Sequence, residues 1–273
     1  MLVSVKGADL FYSTRGKGPV CLILSGIGTK PYEIQMPASL SDRLTLAFIA
    51  LRGSGESTGE ASDLTFDVLA GDLEVNRNSL GVKRVTVLGH SILAVFAVEY
   101  AKCCPTEVSH VIAVETPPRG DMNSMMAESK AYFEKHASDE RKQILRDNLA
   151  RLSPDIDPAR AILAQTPVRF FDARFDATPL LSEAIIKPQF FAHLLGPLTA
   201  TWDVTVNSHS LRSPIFLAQG LHDYVVPHIL WDGVEQSLPN VTRKIFERSG
   251  HQPFFEEPDH FTESVIDWMS RYQ

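Results

Sequence analysis

The chain has 273 residues, 44% of them apolar and 22% charged, proportions that can bury a sizeable core and that exclude wholesale disorder. Its 26 Lys and Arg against 33 Asp and Glu leave a net charge of −7, with the basic residues scattered, so neither a nucleic-acid backbone nor an anionic membrane finds a footprint. Cys21, Cys103 and Cys104 cannot all pair and lack metal-ligand spacing, and no apolar window approaches the roughly 18 residues of a membrane span, so a cytoplasmic protein without metal or cofactor is expected.

Short apolar runs at 20–24, 44–51, 84–88 and 108–114, bounded by Gly and Pro, read as strands of a parallel sheet buried on both faces. Between them, 65–77 places Phe66, Leu69 and Leu73 on one helical face, with Gly81 as its stop. From Asp121 to about Val206 the chain turns rich in Met, Phe, Glu, Lys and Pro. Its pattern predicts helices at 124–136, 138–152, 158–165 and 178–195 and no strand. The β texture resumes at 213–220 and 241–246, and 258–272 reads as a last amphipathic helix. The expected architecture is α/β: a core of 1–118 and 208–273 with a mostly parallel central sheet and helices on both faces, interrupted by a helical cap of 119–207.

The sharpest chemical signal is Leu88-Gly89-His90-Ser91-Ile92-Leu93-Ala94, where an apolar strand enters Gly-x-Ser and passes straight into a helix. Such a nucleophile elbow strains the serine backbone and lifts its hydroxyl clear of the sheet, with the next N–H, that of Ile92, at a helix start where it can hold an oxyanion. Leu93 stands where a second glycine is usual and is expected to pack between helix and strand beside Ala94.

A serine hydroxyl needs a base, and the base needs an acid to orient it. His251, in Ser249-Gly250-His251, follows the last expected strand, and Asp223, in Gly220-Leu221-His222-Asp223, follows the one before. Both lie at strand carboxyl ends, where open α/β sheets bind ligands. The early loop Ser25-Gly26-Ile27-Gly28 offers the Ile27 N–H as a second oxyanion donor. Ser25 occupies a place often held by histidine, a change expected to alter loop hydrogen bonds rather than the donors.

Together with Arg52-Gly53-Ser54-Gly55-Glu56-Ser57 and Glu115-Thr116-Pro117-Pro118, these segments resemble the α/β-hydrolase superfamily, and most of all its proline iminopeptidase-like branch. The resemblance implies a Ser91, His251, Asp223 triad beneath a helical lid and no cofactor. Serine at the elbow, in place of aspartate, turns the reading away from epoxide hydrolase and dehalogenase chemistry.

Phe170, Phe191, Trp202 and Phe254 are candidates for an apolar substrate pocket, although lid packing explains them equally well. Glu115 is a candidate acid partner or polar pocket group, or else a structural hydrogen bond at the cap hinge. His90 reads as pocket wall or packing, and Asp203 as lid surface or hinge. The expected function is hydrolysis of a small ester or lactone by a monomer or homodimer whose partner is a small molecule. One rival is an aminopeptidase using Glu128, Glu134, Asp172, Asp176 or Glu183 to hold a substrate ammonium. Another is a noncatalytic ligand-binding protein that keeps the elbow as a pocket.

Overall fold

The computed structural model describes residues 1–153, 156–238 and 240–272. Its strands are β1 (Leu2–Val5), β2 (Ala8–Gly16), β3 (Val20–Ser25), β4 (Thr45–Ala50), β5 (Val85–His90), β6 (Val108–Val114), β7 (Ile215–Gly220) and β8 (Val241–Phe246). They form one sheet in the order β1-β2-β4-β3-β5-β6-β7-β8. The β1–β2 and β2–β4 pairs are antiparallel and all others parallel. Every residue of β3, β5 and β7 is buried, as continuous apolar runs covered on two faces require.

Alternate side chains of β3 serve opposite layers. Leu22 and Leu24 join the core beneath the helices Phe66–Ser79 and Leu93–Cys103, whereas Cys21 and Ile23 join the one beneath Thr29–Gln35 and Pro258–Ser270. The expected strands and crossover helix are present, and the β1–β2 hairpin is an addition to them. Its polar alternation, half buried and half exposed, suits an antiparallel edge rather than a buried run.

Between β6 and β7 no strand of the sheet occurs among the described residues, and the helices Met122–His136, Asp139–Ala150 and Pro158–Ala164 carry the insertion. Asp121 starts the first of these by accepting the Asn123 and Ser124 N–H groups. The expected helix over 178–195 is instead broken into Thr178–Leu181, Pro188–His193 and a final turn Leu194–Leu198. Pro179 and Pro188 each fit a first turn but not a helix interior, and Gly196 leaves helical geometry at φ −107°, ψ −109° before Pro197. The insertion closes on itself at its neck. There the Gly120 N–H donates to Trp202 O at 2.7 Å, Val204 N–H to Pro118 O at 3.0 Å, and Arg119 pairs with Asp203 at 3.0 Å. No helix among the described residues is long and apolar enough to cross a membrane.

Candidate active site

Five loops leave the carboxyl edge of the sheet after β3, β5, β6, β7 and β8, carrying Ile27, Ser91, Glu115, Asp223 and His251. Of the three non-glycine residues with positive φ among those described, two are here: Ser91 at 56° and Glu115 at 47°. Strain of this kind, costing on the order of 1–3 kcal/mol per residue, persists only where surrounding contacts enforce it. At Ser91 the enforcement is visible. Its N–H donates to Val114 O at 2.7 Å, and its carbonyl accepts the Ala94 N–H at 3.0 Å, so strand and helix grip it from both sides.

The turn closes because Gly89 has no side chain: a Cβ there would lie 2.3 Å from Ala94 Cα and 2.6 Å from Leu93 O. Ala94 therefore takes the close approach. Leu93, expected between helix and strand, is buried in the core cluster that holds Val87 and Ala94, and it also helps to wall the cavity beside Ser91.

Asp223 is wholly buried, its Oδ1 accepting the Val225 and Val226 N–H groups at 2.7 and 3.1 Å and its Oδ2 facing His251 Nδ1 at 2.7 Å. Burial by itself would raise its pKa, but His251, Glu115 and the Val225 N–H hold it below the ordinary carboxylate value. An ionised acceptor at that distance fixes the proton on Nδ1, leaving Nε2 of His251 as the basic nitrogen. Ser91 and His251 line one cavity of about 340 Å³. Among the described residues the Ser91 hydroxyl has no hydrogen-bond partner; such contacts often tighten only once substrate is bound.

The Ile92 N–H has no acceptor among the described residues and heads the helix Leu93–Cys103. Ile27 differs from expectation: its N–H donates to Ser25 Oγ at 3.2 Å, while that hydroxyl donates to Gly28 O at 2.5 Å. The serine therefore touches the donor itself. Its loop is braced from the segment after β4, where Glu56 accepts the Thr29 N–H at 3.2 Å and Ser54 Oγ donates to Ser25 O at 3.2 Å. Arg52, in the same segment, is clamped to Asp72 by bonds of 2.9 and 2.7 Å. The Arg-Gly-x-Gly-x-Ser run thus acts as scaffold for the Ile27 loop.

Of the aromatic candidates, Phe191 lines the cavity and the other three lie elsewhere. Phe170 packs on Phe175 beside a separate open cleft. Trp202 ties the neck of the insertion to the elbow helix, its Nε1 donating to Glu99 at 2.7 Å. Phe254 lies beneath the cavity against His90, with ring centroids 5.1 Å apart. Glu115 is also outside the cavity wall. It is fully buried, accepts the Gly220 N–H and faces the Asp223 carboxylate, so burial first and that negative charge second push its pKa well above the usual range. None of the five carboxylates considered for an ammonium lines the cavity. Among the described residues no group of three or more His, Cys, Asp or Glu is placed to hold a metal ion.

Tyr32, Arg169 and Gln252 also line the cavity, and no sequence motif marks them. The only linear signal for Arg169 is a lone cation inside Pro167-Val168-Arg169-Phe170-Phe171. His90, expected as wall or packing, carries more than that, for it bonds both Tyr32 and the His251 backbone.

Residues 18–258 match the family model described as the alpha/beta hydrolase fold. The chain is 31% identical to the AB hydrolase superfamily protein YclE of Bacillus subtilis over 275 residues, covering 97% of this chain and 96% of that one. It is 26% identical to a pimeloyl-[acyl-carrier protein] methyl ester esterase of Nitrosomonas europaea, covering 93% and 97%. Among solved structures, an alpha/beta fold family hydrolase from Bacillus anthracis superposes with a TM-score of 0.76 at 20% identity, covering 98% of each chain. The enol-lactonase of Burkholderia xenovorans does so with a TM-score of 0.71 at 16% identity, covering 99% and 100%. These relatives do not single out a proline iminopeptidase-like branch. The chain belongs to the α/β-hydrolase fold family.

Proposed function

We propose that this protein is a serine hydrolase that cleaves a small carboxylic ester or lactone through an acyl-enzyme. The observation that carries the reading is that His251, bonded to Asp223 through Nδ1 at 2.7 Å, opens onto the same cavity as the strained Ser91. Names among the relatives, an esterase and an enol-lactonase, agree with ester chemistry but belong to those proteins.

In this reading Ser91 Oγ attacks the carbonyl carbon as its proton passes to His251 Nε2, and Asp223 stabilises the resulting imidazolium. The carbonyl oxygen, now negative, accepts from the Ile92 N–H and from the Ile27 N–H, which turns from Ser25 Oγ to the stronger acceptor. Collapse expels the alkoxide, which takes the proton from His251. Water then attacks the acyl-serine by the same path, and the acid leaves. The cap closes the cavity from above, lending Ile162, Phe191 and Leu195 as apolar wall.

The absence of carboxylates from the described cavity wall speaks against the aminopeptidase alternative. The test is the Ser91→Ala variant with a fluorophosphonate probe and an activated ester. Wild type is expected to label at Ser91 and release a burst equal to enzyme concentration, and the variant to do neither while keeping its thermal transition. A wild-type protein that neither labels nor turns over any ester would leave the noncatalytic binding reading in its place.

A further inference from the structure

We propose that Arg169 is the docking point for a carboxylate on the substrate, so that the preferred ester or lactone carries a second, anionic end. The inference rests on the reading of Ser91 as nucleophile and deepens it to a substrate class.

Arg169 is the one permanently cationic residue among those described that line the cavity, and Asp and Glu are absent from that wall. Its guanidinium is nearly unused. Nε is buried without an acceptor, and the one hydrogen bond formed among the described residues is a long contact of 3.5 Å from Nη2 to Gln165 Oε1. The acid that reaches it electrostatically is Asp223, which is already committed to His251. Burial pulls the Arg169 pKa downward from its ordinary value, and the Asp223 charge offsets that only in part. A half-buried cation with its Nε shut off from solvent gains from an anionic partner, and the planar guanidinium fork matches a carboxylate.

The backbone of Arg169 is fixed relative to the proposed triad. The helical turn Thr166–Arg169 accepts the Tyr224 N–H on Val168 O at 3.0 Å and the His251 N–H on Arg169 O at 2.5 Å. It is therefore strapped to both the Asp223 loop and the His251 loop. Gly250 permits this: a Cβ there would lie 2.3 Å from Arg169 O. Although it belongs to the insertion, the turn moves with the base and the acid rather than as a free lid.

Gln252 lines the same cavity and has a buried Oε1 without a partner. Its amide can turn to present N–H groups, giving the anion a second donor. Much of the rest of the wall is apolar, with Met122, Met125, Ile162, Leu181 and Leu195. A substrate with an ester carbonyl at Ser91, a short methylene chain and a terminal carboxylate matches this distribution, as in the hemiester of a dicarboxylic acid or a carboxylated lactone.

The experiment compares kcat/KM for monomethyl succinate, glutarate and adipate with methyl butanoate, pentanoate and hexanoate in a pH-stat, using wild type, Arg169→Lys and Arg169→Met. For at least one chain length the wild type is expected to prefer the hemiester by roughly 10- to 100-fold, the range of a hydrogen bond to a charged group. Arg169→Met brings that ratio to about one, and Arg169→Lys leaves it between. Free glutarate competitively inhibits hydrolysis of the neutral ester by wild type, with an inhibition constant at least ~10-fold weaker in Arg169→Met. Equal kcat/KM for charged and neutral esters at every length in wild type overturns the docking role while leaving the serine hydrolase reading intact, and needs no variant to fold. No Ser91-dependent turnover of either series overturns the hydrolase reading beneath it.

Discussion

His90 Nε2 donates to the backbone carbonyl of His251 at 2.7 Å, and the two rings lie 4.8 Å apart between centroids. A carbonyl only accepts, so Nε2 carries the proton. Burial, then the neighbouring His251 charge, holds the His90 pKa well below the ordinary imidazole value, so Nδ1 is bare and accepts the Tyr32 hydroxyl at 3.0 Å. The residue preceding the proposed nucleophile thereby tethers the loop that bears the proposed base.

Two substitutions separate tether from packing. Tyr32→Phe leaves a buried acceptor unpaired and is expected to cost about 1–2 kcal/mol of stability in urea denaturation. His90→Ala releases the His251 carbonyl and is expected to lower kcat about 10-fold with little change in KM, slowing fluorophosphonate labelling in proportion. Labelling at the wild-type rate in a folded His90→Ala protein would reduce the tether to mere packing.

Burial and the facing Asp223 carboxylate favour the protonated form of Glu115. In the unfolded chain it ionises near its ordinary value of 4.5, and in the folded protein only well above it, because burial and Asp223 disfavour the anion. The stability contributed by holding the proton is fully present below about pH 4.5 and is lost as pH rises toward the folded-state pKa. Glu115→Gln keeps an acceptor for the Gly220 N–H and a donor toward Asp223 without a group to ionise. We expect it to match wild type near pH 4.5 and to exceed it at pH 8 by on the order of 1 kcal/mol, since each pKa unit is worth about 1.4 kcal/mol. Denaturant midpoints at the two pH values measure this, and a variant weaker than wild type at pH 8 would mean Glu115 is ionised when folded.

Much of the core was legible in the sequence because buried parallel strands read as uninterrupted apolar runs: 108–114 and 241–246 are bounded as expected, and the others within two residues. That Asp223 meets His251 and that Ser91 opens on the same cavity was legible because each follows a strand, and parallel strands deliver their carboxyl ends to one edge. The cavity wall was not. Whether Phe170 or Phe191 faces the cavity depends on how short proline-broken helices of the insertion turn, and neither periodicity nor composition sets that. Arg169 was hidden for a further reason: its place is fixed by backbone bonds to loops some 55 and 82 residues downstream, at Tyr224 and His251. Tyr32 and Glu115 likewise acquire their partners only through the sheet, from His90 at the end of β5 and Gly220 at the end of β7.

The elbow's tolerance can be measured with two glycines of opposite demands. Gly71 lies inside the helix Phe66–Ser79, and a Cβ there would meet nothing within 4 Å, so Gly71→Ala gains helix propensity and is expected to stabilise by about 0.5–1 kcal/mol. At Gly89 the same methyl group would meet backbone atoms of Ala94 and Leu93 at 2.3 and 2.6 Å, which cannot swing aside as a side chain can. Gly89→Ala must push the helix Leu93–Cys103 away from β5, at a cost of about 3 kcal/mol, toward the upper end for overpacking. That displacement carries the Ile92 N–H with it, so the ester burst should shrink even in preparations that remain folded at low temperature. If the Gly89→Ala variant instead kept wild-type stability and a full burst, the contact between strand and helix would not be what holds Ser91 in its strained conformation.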